Sequence, residues 1–111
     1  MTDTLSEAVF QILLALSDQP RHGLGIAAEV ELRTRERVSL GAGTLYTALR
    51  RMREDAWIEE IAAPTGENDP RRRFYKLTPI GRRVLSEEAL RLETLVRDAR
   101  GKAVLPSKRP A

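Results

Sequence analysis

Gly43-Thr44-Leu45-Tyr46-Thr47-Ala48-Leu49-Arg50-Arg51-Met52 is the stretch on which the fold turns. Leu45, Ala48, Leu49 and Met52 recur at the spacing of one helical face. The opposite face carries Tyr46, Thr47, Arg50, Arg53 and Glu54. It is polar and positive, with an aromatic hydroxyl near its start. The helix is expected to follow the glycine-rich Gly41-Ala42-Gly43-Thr44 and to run to about Asp55.

Two helices are expected upstream. The first spans residues 4–18, with Leu5, Val9, Ile12, Leu13 and Leu16 on one stripe, Thr4 as N-cap and Glu7 completing a capping box. Phe10 and Leu14 lie off that stripe and meet either a partner chain or the flank of the same core. Asp18-Gln19-Pro20-Arg21 reads as a turn, because Pro20 biases Gln19 away from helical geometry. The second helix runs from about Gly23 to Arg35, with Leu24, Ala27, Ala28 and Leu32 as its inner face and Ile26 and Val30 nearby. Val38-Ser39-Leu40 is a short extended segment before the glycine-rich stretch.

Downstream, residues 57–62 and 71–77 read as two strands around the turn-rich Pro64-Thr65-Gly66-Glu67-Asn68-Asp69-Pro70, a β-hairpin with a long polar tip. Two short strands do not stand alone, so the hairpin must lie on the helices. Thr78-Pro79 starts a last helix that runs to about Arg100, with Gly101 as its stop. Val84, Leu85, Leu92, Leu95, Val96 and Ala99 form its apolar stripe. Such a helix is about 33 Å long and overruns a core of roughly 25 Å. Its far half then buries its leucines only against another chain, which implies a homodimer. The expected division is residues 4–78 as the helical and hairpin domain, 79–101 as a dimerisation helix and 102–111 as a disordered basic tail.

At 111 residues and 12.5 kDa the chain is one small domain. It has no cysteine and one histidine, His22, which excludes thiolate chemistry and any site that needs two histidines. No run approaches the roughly 20 apolar residues of a membrane span, and Met1-Thr2-Asp3-Thr4 lacks the basic start of a secretory signal, so a cytoplasmic protein is expected. Gly23-Leu24-Gly25-Ile26-Ala27-Ala28 imitates a dinucleotide fingerprint, but a helix and Pro20 precede it where a strand is required. No catalytic constellation, metal site or cofactor is implied. The net charge is only +3, but its distribution is uneven. Residues 71–83 hold six basic side chains (Arg71, Arg72, Arg73, Lys76, Arg82, Arg83) and no acidic one, and Arg50, Arg51 and Arg53 form a second cluster. Segregated charge of this kind suits a polyanion partner.

The element order, three helices and then a hairpin, is that of a winged helix: mainly α with a small β-hairpin and a helix-turn-helix, plus the long C-terminal helix. In that architecture the third helix fits the major groove of double-stranded DNA. Gly41 to Thr44 leave N–H groups open for a phosphate. Tyr46 and Thr47 can donate to phosphates or bases, and Arg50 reaches guanine edges or phosphates. The hairpin tip brings Arg71, Arg72 and Arg73 to the flanking backbone or minor groove.

The stretches 5–16, His22-Gly23-Leu24-Gly25-Ile26, 43–52 and 72–81 (Arg-Arg-Phe-Tyr-Lys-Leu-Thr-Pro-Ile-Gly) together resemble the PadR family of bacterial transcriptional regulators over about residues 4–100. The resemblance implies a winged-helix DNA-binding domain with one C-terminal dimerisation helix. It also implies a homodimer on a near-palindromic operator, acting as a repressor released by a small-molecule effector or other signal. By the same resemblance, Thr44, Tyr46 and Arg50 match recognition-helix positions and His22 and Gly23 lie near backbone phosphates; Gly43, Thr47 and Arg51 are further candidate DNA contacts on the same helix. Arg71, Arg72, Arg73 and Lys76 belong to the wing, where Tyr75 is either wing or core. Phe10, Leu14, Leu85, Leu92, Leu95 and Val96 are the candidate dimer contacts. Three residues depart from the family pattern. Thr47 stands where proline is usual, Ala56 where glycine is common, and Trp57 where leucine is usual. The last helix has no Trp, Tyr or Phe, so effector stacking on an aromatic there does not transfer; Trp57 and Phe10 remain as possible pocket walls. The alternative is a winged-helix dimer serving as a protein-interaction or ligand-binding module with no DNA target.

Overall fold

The computed structural model describes residues 4–106. The element order is α1 (Glu7–Ala15), β1 (Arg21–His22), α2 (Gly23–Arg33), α3 (Ala42–Glu54), β2 (Ile58–Ile61), β3 (Phe74–Leu77) and α4 (Pro79–Gly101). The fold is a winged helix with a long C-terminal helix. Its small antiparallel sheet has the order β1-β3-β2. Among the described residues no helix is long and apolar enough to cross a membrane.

The core is where the apolar stripes meet. Ile12 and Leu13 of α1, Ile26 and Val30 of α2, Leu45, Leu49 and Met52 of α3, Ile58 of β2 and Leu85 of α4 are all buried in one cluster. Each such side chain contributes about 1.5–3 kcal/mol of transfer free energy. The expected stripe of α3 is therefore the one observed, with Ala48 half-buried beside it.

Four local expectations are corrected. The N-cap of α1 is Ser6, not Thr4: its side chain accepts from the Val9 N–H at 3.2 Å, and the helix begins at Glu7. The buried face of α2 is Gly23, Ile26 and Val30, whereas Leu24 and Leu32 are 65% and 82% exposed. The β-branched residues fill the space beside α1 and α3, and the helix phase then turns both leucines outward. The expected turn Asp18–Arg21 ends one residue early, because Arg21 and His22 form the third strand and pair with Tyr75 and Phe74, while the segment Val38-Ser39-Leu40 stays outside the sheet. So short a pairing is set by what it docks on rather than by propensity. Finally, β3 begins only at Phe74, so Arg71, Arg72 and Arg73 lie in the connection before the strand.

Three helices, α2, α3 and α4, are closed by a left-handed residue that is not glycine. After α3, the Trp57 N–H reaches the Met52 carbonyl at 2.9 Å and the Ala56 N–H the Arg53 carbonyl at 3.0 Å, the two bonds of a Schellman motif. That motif requires a left-handed residue, and Ala56 has φ 61°. Arg35 (φ 53°) closes α2 in the same way, and Ala103 (φ 60°) closes α4, so Gly101 is the last helical residue and not the stop. Of the expected tail 102–111, residues 107–111 lie outside the described residues. An alanine in the left-handed region is strained by roughly 1 kcal/mol. Ala56→Gly is therefore expected to raise stability by about 1 kcal/mol, read as a higher urea midpoint with unchanged slope.

The start of α4 matches expectation. Thr78 caps it, accepting from the Gly81 N–H at 3.0 Å, and Pro79 occupies the first turn. The Thr78 N–H also donates to the Trp57 carbonyl at 3.0 Å, which ties α4 to the beginning of the wing. At 23 residues α4 is about 34 Å long. Its proximal Leu85 sits in the core, while Leu90, Leu95 and Val96 are exposed.

Candidate nucleic-acid interface

The turn of the helix-turn-helix is organised by Thr34, which is buried. Its hydroxyl donates to the Val30 carbonyl at 2.7 Å and accepts from the Val38 N–H at 3.1 Å. The left-handed pair Arg35-Glu36 follows and turns the chain toward α3. The N-terminus of α3 is capped by Gly41 with no side-chain bond, so its first N–H groups remain free for an incoming acceptor.

Residues of α3 divide by direction. Gly43, Thr47 and Arg50 are exposed and lie opposite the buried stripe at 3.6 residues per turn. Arg50 makes no ion pair or side-chain hydrogen bond among the described residues, whereas Arg51 lies 4.0 Å from Asp55 and Arg53 lies 3.1 Å from Glu60. Thr44 and Arg51 lie on the side of α3 that borders a groove between α1, α3 and α4, and Gly43 and Thr47 stand at the rim shared by that groove and the outer face. Tyr46 leans over the start of α2: a Cβ on Gly23 would overlap the Tyr46 phenol oxygen and lie 2.9 Å from its ring carbon Cζ. Gly23 is buried for that reason, and it acts by letting Tyr46 settle there rather than by exposing its own backbone.

His22 joins three features. Its Nδ1 accepts from the Gly25 N–H at 3.1 Å, capping α2; its ring meets Phe74 edge-on at 5.1 Å; and its Nε2 lies 3.0 Å from Arg72 Nη1. With Nδ1 accepting, the neutral ring carries its proton on Nε2. Nε2–H and the Arg72 guanidinium are then two converging donors, and the Glu67 carboxylate, 3.4 Å from the same Arg72 Nη1, is the acceptor beside them. A cleft lined by His22, Gly23, Tyr46, Arg72, Arg73 and Tyr75 surrounds this point. Tyr75 is buried, and burial, aided by the Glu60 carboxylate, pushes its phenol above the usual range, so it is a neutral core group.

The wing cations are not free. Arg71 pairs with Asp69, Arg72 with Glu67, Arg73 with Glu60, each at 3.4 Å, and Lys76 pairs with Glu59 at 3.2 Å. Charge runs in the sequence did not disclose these partners. The hairpin register could have done so in part, since it sets Glu59 opposite Lys76 and Glu60 opposite Tyr75.

The candidate dimer residues are scattered. Leu85 is 7% exposed and committed to its own core, so it offers a partner little surface. Phe10 and Leu14 are half-buried against the same core, Leu92 is half-buried, and Leu95 and Val96 are exposed. The groove between α1, α3 and α4 has a volume of about 1030 Å³, with Leu5, Val9, Trp57 and Val84 among its walls. On its floor Glu88 is gripped by Arg91 through bonds of 2.9 and 2.6 Å. The Arg91 hydrogen bond, with that side chain's charge and the Leu5 N–H, outweighs desolvation and holds the Glu88 carboxyl below the usual range. Stability from this group is therefore present above the ordinary carboxylate range and lost as pH falls through the lowered value. Glu88→Gln is expected to lower the melting temperature at pH 7, and the difference from the parent is expected to shrink as the carboxyl of the parent is protonated in acid. Among the described residues no group of acidic or histidine side chains could hold a metal.

A model of the transcriptional regulator PadR-like family matches residues 12–87. An uncharacterized 37.1 kDa protein in a transposon of Streptomyces fradiae is 37% identical over 84 residues; the match takes in 76% of this chain but only 22% of that protein, so the chain spans about a fifth of its length. A transcriptional regulator of Mycobacterium tuberculosis is 31% identical over 90 residues, which cover 81% of this chain and 79% of the regulator. Among solved structures, a PadR family transcription regulator from Clostridium difficile superposes with a TM-score of 0.74 at 23% identity, over 88% of this chain and 99% of that one. Bacillus subtilis PadR in complex with operator DNA superposes with a TM-score of 0.63 at 18% identity, over 74% of this chain and 46% of that one. These two structures share the fold.

Proposed function

The chain belongs to the transcriptional regulator PadR-like family, and from that premise we propose that it is a homodimeric repressor binding a near-palindromic operator in duplex DNA. The observation that carries this reading is α3: an N-terminus without a side-chain cap bond, an exposed outer face of Gly43, Thr47 and Arg50, and in Arg50 an arginine with no ion pair among the described residues. A side chain left free in this way can meet a base edge or a phosphate at no internal cost. His22 Nε2 and Arg72 then take a backbone phosphate at the start of α2, and Tyr46 adds its hydroxyl beside them. Residues 4–78 serve as the reading domain and 79–101 as the dimerisation helix. Leu92, Leu95 and Val96 of each α4 pack against a second copy, with Phe10 and Leu14 at the flank. A small-molecule effector enters the groove beside Trp57. The groove also borders Thr44 and Arg51 of α3, so its filling is felt by the recognition helix.

Fluorescence anisotropy on the DNA upstream of the protein's own coding sequence tests the reading. A preference over a scrambled duplex of roughly 10³-fold or more is expected. Equal binding to both duplexes, collapsing with salt, would contradict it.

A further inference from the structure

The hairpin and its loop, residues 58–77, hold four basic and four acidic side chains and are neutral as a unit. That is unexpected in an element meant to lie along DNA. The pairing is specific. Glu60 takes two arginines from different elements, Arg53 of α3 at 3.1 Å and Arg73 of the wing at 3.4 Å. Glu67 takes Arg72 at 3.4 Å. The arginines of these pairs are exposed and the two carboxylates part-buried, with Glu67 also accepting the Asp69 N–H at 3.3 Å; solvent-screened pairs of this kind add little to stability. What they do alter is the charge that the wing presents to a polyanion. A phosphate approaching Arg53, Arg72 or Arg73 must first displace a carboxylate that is already seated there, whereas Arg50 has no such competitor among the described residues.

We propose that Glu60 and Glu67 are specificity-determining residues: by occupying Arg53, Arg73 and Arg72 they hold down sequence-independent attraction to duplex DNA. Selection is thereby left to the outer face of α3. This rests on the DNA-binding reading above. On a wrong sequence the carboxylates keep their arginines and the wing stays neutral. On the right one, contacts from α3 hold the wing against the backbone long enough for phosphates to take over the guanidinium groups.

Glu60→Gln and Glu67→Gln keep the side-chain shape and an acceptor oxygen while removing the charge. Both variants and the parent would be titrated as full chains by anisotropy. The probes are a scrambled duplex and the upstream duplex, from 50 to 300 mM salt, with thermal melts recorded alongside. Removing one negative charge about 7 Å from a phosphate in a water-like dielectric is a roughly threefold effect, or about tenfold for a dimer. Tighter binding of the scrambled duplex by that factor is expected. Its salt slope should steepen by about one for each phosphate newly engaged, and the preference for the upstream duplex should narrow. If the parent ignores the scrambled duplex at 50 mM while the variants bind it, the proposal is equally supported. If parent and variants bind both duplexes alike with the same slopes, the carboxylates do not compete, and the DNA reading stands without them. If neither parent nor variants bind any duplex, both readings fall. Weaker binding by variants that melt with the parent would also overturn the proposal, because Glu60 and Glu67 would then be supporting the interface.

Discussion

Gly81→Ala is expected to cost about 3 kcal/mol or more, the largest loss from an alanine at any of the chain's glycines. An alanine Cβ there would overlap the Trp57 carbonyl oxygen and lie 2.8 Å from its carbon. Neither obstacle is a movable side-chain end. The Trp57 carbonyl accepts the Thr78 N–H, and Thr78 caps the helix that contains Gly81. Relief therefore means pulling α4 off the start of the wing, which loosens Leu85 in the core and the lowered carboxyl of Glu88 together. Backbone overlap of this kind stands at the upper end of overpacking effects. For a domain of this size the melting temperature should fall by about 15 °C. Gly43→Ala is the natural control, since nothing lies within 4 Å of an added Cβ there. It should raise stability by about 0.5–1 kcal/mol.

Arg50→Ala should leave the melting temperature within about 1 °C, because the side chain removed is exposed and makes no ion pair among the described residues. Its effect falls on DNA. A guanidinium meeting a base edge is worth about 1–3 kcal/mol of discrimination, so affinity for the preferred duplex should drop about 10- to 100-fold per protomer. Binding to a scrambled duplex should change much less. Arg72→Ala should behave differently, weakening both duplexes about equally and flattening the salt slope by about one per protomer. The contrast follows from where the two side chains stand. Arg50 stands on the outer face of α3 with no ion pair among the described residues, and Arg72 is beside His22 Nε2 at the edge of the wing. If Arg72→Ala changed only the preferred sequence, this division of labour would be wrong.

Much of the architecture was legible in the residues, for reasons that can be named. The stripe Leu45, Leu49 and Met52 and the Thr78-Pro79 start of α4 are local signals, and local signals survive into the fold. The positive φ of Ala56 was foreseeable because a helix end there calls for a left-handed residue. What escaped was tertiary. Leu24 and Leu32 fit an inner face by periodicity alone, and only packing of Ile26 and Val30 beside α1 and α3 turns them outward. The Arg21–His22 pairing is two residues long and exists because β3 passes beside it. At the interface, residue types pointed to α3 and the wing, but the availability of each cation did not follow from charge runs. Among the described residues Arg50 has no ion-pair partner and Arg73 has one, since Glu60, thirteen residues earlier, reaches it diagonally across the hairpin. His22, named for a phosphate, also caps α2 and packs on Phe74. Its second nitrogen is the part left for a ligand.

Hydroxyl-radical footprinting of the protein on the duplex upstream of its coding sequence tests the central claim most directly. A dimer that places two copies of α3 in successive major grooves should protect two symmetric sets of backbone positions. Their centres should lie about 34 Å apart, or one helical turn. Arg50→Ala should weaken both sets equally. A single protected patch, a separation unrelated to the helical repeat, or uniform protection along the duplex would contradict the account.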